Sequence, residues 1–180
     1  MKTATDNLCL YDPEFDGGAK RFANEMGGSS NISPITSSAD IGTCMKNFTN
    51  VKFLVFHTHG SPGMMSLPDG TNFEGVDFVL HSYDKSFLAK DARVLFLGCN
   101  IGEGSAGDTF LRDVGKFLLQ GKGGTVGATT SINMSFQFGS LFSSETYMVP
   151  LSFGRLKVKR YSDAGSEVGS MTVDRHGWKR

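Results

Sequence analysis

Two largely apolar runs of residues constrain the fold of this 180-residue chain more than any other feature. Val51–Phe56 is followed by HTHG at 57–60, and Arg93–Leu97 is followed by GCN at 98–100. Both runs are short and rich in β-branched and aromatic residues, a pattern typical of strands that are buried on both faces of a parallel sheet. Because parallel strands must be joined by long crossover connections, the two runs predict an α/β fold.

The segments around the two runs alternate between strand and helix patterns, which supports this fold class. In the amino-terminal part, the predicted elements are a strand at Asn7–Tyr11, a helix capped by Asp16 and stopped by Gly27, and, after a loop rich in Ser and Asn, a helix beginning at Ser38 or Asp40. Between the two runs, they are a hairpin around Pro-Asp-Gly at 68–70 and a short helix at Lys85–Ala92. After Cys99, they are a helix with a capping box at Ser105 and Asp108, a strand at Thr125–Thr129, a helix at Leu141–Met148 and a strand at Arg155–Arg160. We therefore expect a single domain over residues 1–180, with a mainly parallel central sheet in a three-layer α/β/α sandwich.

Composition and charge disfavour several classes of function. Lys plus Arg and Asp plus Glu both number 18, so the formal net charge is zero and no long-range positive field attracts nucleic acid or an anionic membrane. The first apolar stretch is too short for a signal peptide core or a membrane span, which predicts a cytoplasmic protein unless export follows another route. Cys9, Cys44 and Cys99 are odd in number and widely spaced, as expected for free thiols in a reducing compartment. Cys9 and Cys44 are interpreted as small buried hydrophobes.

A thiol and an imidazole follow the two apolar runs directly. Because neighbouring parallel strands end at the same edge of a sheet, Cys99 and His59 are expected to face a common substrate site. Cys99 would act as the nucleophile, and His59 as the base that removes the thiol proton. Gly60 and Cys99 would supply backbone N–H donors to the oxyanion of a tetrahedral intermediate, since glycine lets a substrate oxygen come close.

A metal-binding interpretation of the histidines is also open. His57 and His59 lie on one face of a strand, which is a spacing that can ligate zinc. The chain has only two further histidines, His81 and His176, and no pattern that joins them to the first pair. The set of zinc ligands is therefore incomplete, and His57 is interpreted as a packing residue behind His59.

Two blocks of sequence resemble those of a known family. FLVFHTHGSPG at 53–63 and ARVLFLGCNIGEGSAGDTFLRDV at 92–114 are similar to the His-Gly and Gly-Cys-Asn blocks of the caspase-like cysteine peptidases of clan CD, and most of all to the bacterial CHAT-type caspase-like domains. The resemblance covers about residues 51–130. In that family a strand ending in His-Gly, a hairpin and a strand ending in the nucleophilic Cys follow in this order. His59 and Cys99 match the catalytic positions.

The resemblance implies a caspase-like fold and a thiol protease, an endopeptidase that hydrolyses peptide bonds of a protein or peptide substrate through a Cys–His dyad. It implies neither a metal nor an organic cofactor, and it places a wall of the substrate pocket at Ser131 and Asn133. The caspase form Gln-Ala-Cys-x-Gly is replaced here by GCN at 98–100, so specificity for aspartate is not implied. Because the chain is short, we expect control by a regulatory protein partner or by ordering of a loop.

Two alternative functions stay open at this point. The first is a catalytically inactive caspase-like adaptor or regulatory module, in which Cys99 would not react with iodoacetamide. The second is an unrelated α/β hydrolase or transferase, such as a thiol acyltransferase, that uses the same edge of the sheet and turns over acyl esters but not peptides. The chain has no nucleophile elbow, Walker loop or dinucleotide fingerprint that would support a different chemistry.

Overall fold

The computed structural model of the chain describes residues 1–26, 28–131 and 155–174. Its strands β1 to β12 are, in chain order, Thr3–Ala4, Asn7–Tyr11, Ser30–Pro34, Phe48–Thr49, Val51–His57, His59–Ser61, Met64–Ser66, Asn72–Glu74, Leu88–Leu97, Gly124–Thr129, Arg155–Tyr161 and Glu167–Asp174. Its helices α1 to α4 are Asp16–Met26, Ser38–Asn47, Asp77–Leu80 and Gly104–Leu118, and two short 3₁₀ turns span Pro13–Phe15 and Lys85–Phe87. None of the helices in these residues is both long and apolar enough to cross a membrane.

A seven-stranded sheet forms the centre of the described residues, with its strands in the order β12, β11, β10, β9, β5, β2, β3. The five strands from β10 to β3 run parallel, and β11 and β12 are antiparallel to their neighbours. The α/β class with a mainly parallel sheet is therefore confirmed. The strands expected near Asn7, Thr125 and Arg155 are present as β2, β10 and β11. The expected hairpin forms by pairing of β7 with β8, and β6 adds a third strand to it.

Alternate residues of the central strands face two separate hydrophobic clusters. In β5, Leu54 and Phe56 belong to one cluster, while Phe53 and Val55 belong to the other. Helix α1 contributes to the cluster that contains Phe53, whereas α2 and α4 contribute to the cluster that contains Phe56. Because apolar side chains cover both sides of each central strand, these strands need the continuous apolar sequence that they have.

Stacked aromatic rings join β5 to β9. Phe56 and Phe96 are paired in the sheet, and their rings stack with centroids 4.8 Å apart and an interplanar angle of 4°. Phe78 of α3 meets the two rings edge-on at 5.8 and 6.0 Å, and Phe110 of α4 meets Phe96 edge-on at 4.8 Å. All four side chains are buried, and such contacts add to the hydrophobic gain from burial. The cluster therefore fixes β5 and β9 against each other and against α4.

Several stretches of the chain differ from the prediction, and the strand Glu167–Asp174 is not predicted. Ser30–Pro34, expected as a loop, forms the edge strand β3, which pairs with β2 through backbone groups that polar residues also carry. The prediction of a helix at Lys85–Ala92 is wrong, because Lys85–Phe87 forms a single 3₁₀ turn and β9 begins at Leu88. Leu88 pairs with β5 and Ala92 pairs with β10, so two neighbouring strands hold this segment in place of helical hydrogen bonds.

The start of α1 also differs from the prediction, while the start of α2 at Ser38 is confirmed. Asp16 is the first residue of α1 and not its cap. The cap lies earlier in the chain, because a 3₁₀ turn precedes α1 and the Asp12 carboxylate accepts a hydrogen bond from the Glu14 N–H at 2.9 Å. The helix expected at Leu141–Met148 lies outside the described residues.

Helix α4 begins at Gly104, so the capping box expected at Ser105 and Asp108 is wrong. The Asp108 carboxylate is used in another way, since its oxygens lie 3.1 and 3.6 Å from Nζ of Lys157 and Lys159 in β11. Ion pairs to a strand that is distant in the chain therefore replace the local cap. No short-range pattern in the sequence around Asp108 indicates this use.

Replacing Phe96 by alanine is expected to lower the free energy of unfolding by about 3–5 kcal/mol, the usual cost of removing a fully buried phenylalanine. Urea unfolding followed by circular dichroism measures this change. The control is Phe117→Ala, because Phe117 is only partly buried at the edge of the core and its loss is expected to cost about 1 kcal/mol. Equal unfolding midpoints for the two variants would contradict the role assigned to the aromatic stack.

Candidate active site

The HTHG and GCN motifs leave the sheet side by side. His57, the last residue of β5, pairs with Leu97, the last residue of β9, and the Thr58 N–H donates to the Leu97 carbonyl oxygen at 3.1 Å. His59 and Cys99 therefore lie just beyond two neighbouring strand ends. The structure brings these two predicted site residues to the same edge of the sheet, as their parallel strands require.

Gly98 allows the two loops to touch. A Cβ atom at Gly98 would lie 2.9 Å from the Thr58 carbonyl oxygen, 3.1 Å from the His59 carbonyl oxygen and 2.6 Å from Cδ1 of Ile101. Gly60 approaches Ile101 in the same way, since a Cβ atom there would lie 2.5 Å from its Cγ1. Ile101 is fully buried, and its side chain occupies the space that both glycines leave open. The backbone beside the predicted nucleophile therefore packs directly on the backbone of the predicted base.

Cys99 is partly exposed, whereas Cys9 and Cys44 are buried, as expected. Burial raises the pKa of both buried thiols, so they stay protonated at neutral pH. The loop that holds Cys99 is tied to β10, because the Thr129 hydroxyl donates a hydrogen bond to the Gly98 carbonyl oxygen. A sulfur that is accessible and held on a fixed loop can react with a substrate carbonyl carbon.

Two residues of the turn after β2 support the His59 ring. Its Nε2 lies 2.9 Å from Oε2 of Glu14, and its ring centroid lies 4.8 Å from that of Phe15, with the planes inclined by 54°. With Nε2 paired to a carboxylate, Nδ1 is the ring nitrogen that remains for proton exchange. The side chains of His59 and Glu14 are 53% and 74% exposed, so a substrate has access to the imidazole.

Sequence reasoning misses Glu14, which precedes His59 by 45 positions. A signal for it is nevertheless present in the predicted first strand. Strand β2 pairs with β5, and Tyr11 lies opposite His57, so the residues that follow Tyr11 emerge at the edge of the sheet that carries His59. Glu14 is thus a carboxylate just beyond the carboxyl end of a central strand, which is where reactive groups gather in open α/β sheets.

His57 packs behind this edge, as predicted. Its ring stacks on Phe15 with centroids 4.5 Å apart and planes inclined by 9°, and a Cβ atom at Gly18 would lie 2.6 Å from its Cε1. Its Nδ1 is buried without a hydrogen-bond partner among the described residues. Burial lowers the pKa of His57 to about 4, a shift that Asp12 opposes and His59 reinforces. The ring is therefore neutral near pH 7 and contributes packing, not proton transfer.

The remaining predicted residues divide between described and undescribed parts of the chain. Ser131 follows the end of β10 at the same edge of the sheet, and its Oγ is buried without a hydrogen-bond partner in the part of the chain that the structure describes. Asn133 and His176 lie outside that part. His81 stacks on the Tyr83 ring at 5.3 Å. Within residues 1–26, 28–131 and 155–174, no group of three or more His, Cys, Asp or Glu side chains is arranged to hold a metal ion.

Comparisons of the chain with models of protein families, with curated proteins and with solved structures found no match. The chemistry of the site therefore follows from its own geometry. An accessible thiol, an imidazole paired to a carboxylate and two loops with glycine backbones lie at one edge of the sheet. Groups of these types are used in nucleophilic attack on a carbonyl carbon.

The variant Gly98→Ala is expected to lower the free energy of unfolding by about 1–3 kcal/mol, because its methyl group would overlap the backbone of the His59 loop. Thermal unfolding measures the change. The control is Gly17→Ala in α1, where a Cβ atom meets nothing within 4 Å and the stability is expected to rise by up to about 1 kcal/mol. A Gly98→Ala protein as stable as the wild type would show that the two loops can separate without cost.

Acidification is expected to destabilise the protein through His57. Its pKa is about 4 in the folded protein against an ordinary value of 6.5, so between these pH values the unfolded chain binds a proton that the folded chain does not. The contribution of His57 to the free energy of unfolding is therefore complete above pH 6.5 and is lost as the pH falls toward 4. The expected loss is on the order of 3 kcal/mol.

Urea unfolding at about pH 7 and about pH 4.5 tests this expectation. Acidification should reduce the stability of the wild type more than that of His57→Asn, because asparagine does not titrate. If His57→Asn loses as much stability as the wild type, the titration of His57 has no part in the acid response.

Proposed function

We propose that this protein is a cysteine endopeptidase with a caspase-like fold, in which Cys99 and His59 hydrolyse the peptide bonds of a protein or peptide substrate. The observation that carries the proposal is the packing of Gly98 on the backbone of the His59 loop, next to an accessible thiol. The contact of α1 with one hydrophobic cluster and of α2 and α4 with the other supports a three-layer α/β/α sandwich. The proposed mechanism uses no metal or organic cofactor.

The first half of the proposed reaction forms an acyl-enzyme. His59 takes the proton of the Cys99 thiol, and the sulfur forms a bond to the carbonyl carbon of the scissile peptide. Glu14 holds the imidazole through its Nε2 and offsets the positive charge that the ring acquires. The tetrahedral intermediate then collapses, the C–N bond breaks, and His59 returns the proton to the departing amine.

The backbone N–H groups of Gly60 and Cys99 are the proposed donors to the oxyanion. Ser61 and Met64 flank a two-residue hairpin loop, so we expect hydrogen bonds between their backbone groups. Hydrogen-bonded and non-hydrogen-bonded pairs alternate along an antiparallel ladder, so we expect no hydrogen bond within the next pair, Gly60 and Met65. The Gly60 N–H then points away from β7 and is available to a substrate oxygen. Donors that are in place before the reaction need no rearrangement when the charge develops.

The second half of the proposed reaction releases the acid product. His59 removes a proton from a water molecule, whose oxygen attacks the thioester carbon. Collapse of the second tetrahedral intermediate breaks the C–S bond and frees the carboxyl product, and the thiolate of Cys99 recovers its proton from His59. A regulatory protein partner is part of the proposal, since the exposed His59 and Glu14 side chains leave the edge open to a second protein.

A positional-scanning library of fluorogenic peptides tests the proposal. The wild type is expected to cleave a subset of the library, Cys99→Ala to lose turnover by at least about 10³-fold, and His59→Ala by about 10²–10⁴-fold. Cys44→Ala removes a buried thiol and is the matched control with unchanged turnover. Circular dichroism verifies that every variant is folded.

Other outcomes distinguish the alternatives. Undiminished turnover by Cys99→Ala or His59→Ala would remove that residue from its proposed role. A wild type that cleaves no peptide, and in which iodoacetamide does not modify Cys99, would be an inactive adaptor or regulatory module. Turnover of acyl esters without turnover of peptides would instead indicate a thiol acyltransferase.

A further inference from the structure

Phe15 contacts the rings of two histidines at once. Its ring centroid lies 4.5 Å from that of His57, with nearly parallel planes, and 4.8 Å from that of His59, with the planes inclined by 54°. The preceding residue, Glu14, places its Oε2 2.9 Å from Nε2 of His59. One short 3₁₀ turn, Pro13–Phe15, therefore makes two different contacts to the proposed base.

This turn is fixed to the end of β5. The Asp12 N–H donates to the His57 carbonyl oxygen at 2.9 Å, and the buried Asp12 carboxylate accepts from the Glu14 N–H at 2.9 Å. The Phe15 N–H donates to the Asp12 carbonyl oxygen at 2.7 Å. These bonds join the backbone of the turn, and with it the Cα atom of Phe15, to the strand that leads to His59.

Helix α1 also contacts the His57 ring. A Cβ atom at Gly18 would lie only 2.6 Å from Cε1 of His57, so the backbone of α1 lies directly against this ring. The half-buried His57 ring therefore contacts both α1 and Phe15. Phe15 in turn contacts the His57 ring, which packs against α1, and the His59 ring, which is largely exposed.

We propose that Phe15 is a positioning residue for His59, a role that rests on the proposed Cys–His chemistry. The contact between His59 and Glu14 is largely exposed to solvent, and exposed contacts of this kind hold side chains weakly. The Phe15 ring restricts rotation of the imidazole, so that Nε2 stays on Glu14 and Nδ1 stays available to the Cys99 thiol. Phe15 thus acts on the reaction through His59 without touching the substrate.

The test measures the rate at which iodoacetamide alkylates Cys99, followed by mass spectrometry at neutral pH, because this rate reports thiol activation without a peptide substrate. Phe15→Leu keeps an apolar side chain but removes the ring, and it is expected to slow alkylation about tenfold, the scale on which misplacing a catalytic group acts. Phe15→Tyr keeps the ring and is expected to restore the wild-type rate. The control Phe117→Leu alters another partly buried phenylalanine, near the carboxyl end of α4 and beside Lys85, and should leave the rate unchanged.

A double variant separates positioning from a general structural effect. If Phe15 acts through His59, Phe15→Leu combined with His59→Ala is no slower than His59→Ala alone, because the two changes remove one function. In peptide cleavage, Phe15→Leu is expected to lower kcat with little change in KM.

The positioning role is overturned if His59→Ala slows alkylation and Phe15→Leu does not, or if Phe15→Tyr is as slow as Phe15→Leu. If His59→Ala alkylates at the wild-type rate, His59 does not activate the thiol. That result contradicts the proposed dyad, and Phe15 then has no base to position. A protein that cleaves no peptide but shows the expected alkylation pattern keeps the role of Phe15 and loses the endopeptidase function. The two proposals therefore fail in different ways.

Discussion

The pairing of β5 with β9 is the interaction on which the rest of the structure depends. Their backbone hydrogen bonds lie between two hydrophobic clusters, and the stacked rings of Phe56 and Phe96 reinforce the pair on one face of the sheet. Because the strands are parallel and adjacent, the loops that follow them lie side by side at the same edge of the sheet. Because Gly98 has no side chain, the two loops can pack against each other, and the Ile101 side chain occupies the space that a Cβ atom at Gly98 would need.

A third strand completes this edge. Strand β2 pairs with β5 on the side away from β9, so three successive parallel strands deliver, in order, the turn with Glu14, the loop with His59 and the loop with Cys99. The groups are arranged across the sheet as carboxylate, imidazole and thiol. The order of strands in space thus sets the order of the polar groups, although all three lie far from one another in the chain.

The sequence predicts an element of the fold or site correctly where neighbouring residues in the chain determine it, and fails where contacts between distant strands determine it. Val51–Phe56 identifies a buried strand because both of its faces are apolar, and Pro-Asp-Gly at 68–70 identifies a turn by its own backbone preferences. The edge strands Ser30–Pro34 and Glu167–Asp174 are missed because they are rich in polar residues and pair mainly through backbone groups. The contact of Glu14 with His59 is missed because it requires the order of β2 and β5 in the sheet.

The unequal burial of the three sulfur atoms has a consequence for the response to oxidants. Core side chains enclose Cys9 and Cys44, so peroxide reaches Cys99 first. A sulfenic acid formed there would occupy the edge of the sheet and leave the packing of both clusters intact. Thiol reductants reverse this first stage of oxidation, so reduction at that stage would restore the Cys99 thiol without refolding.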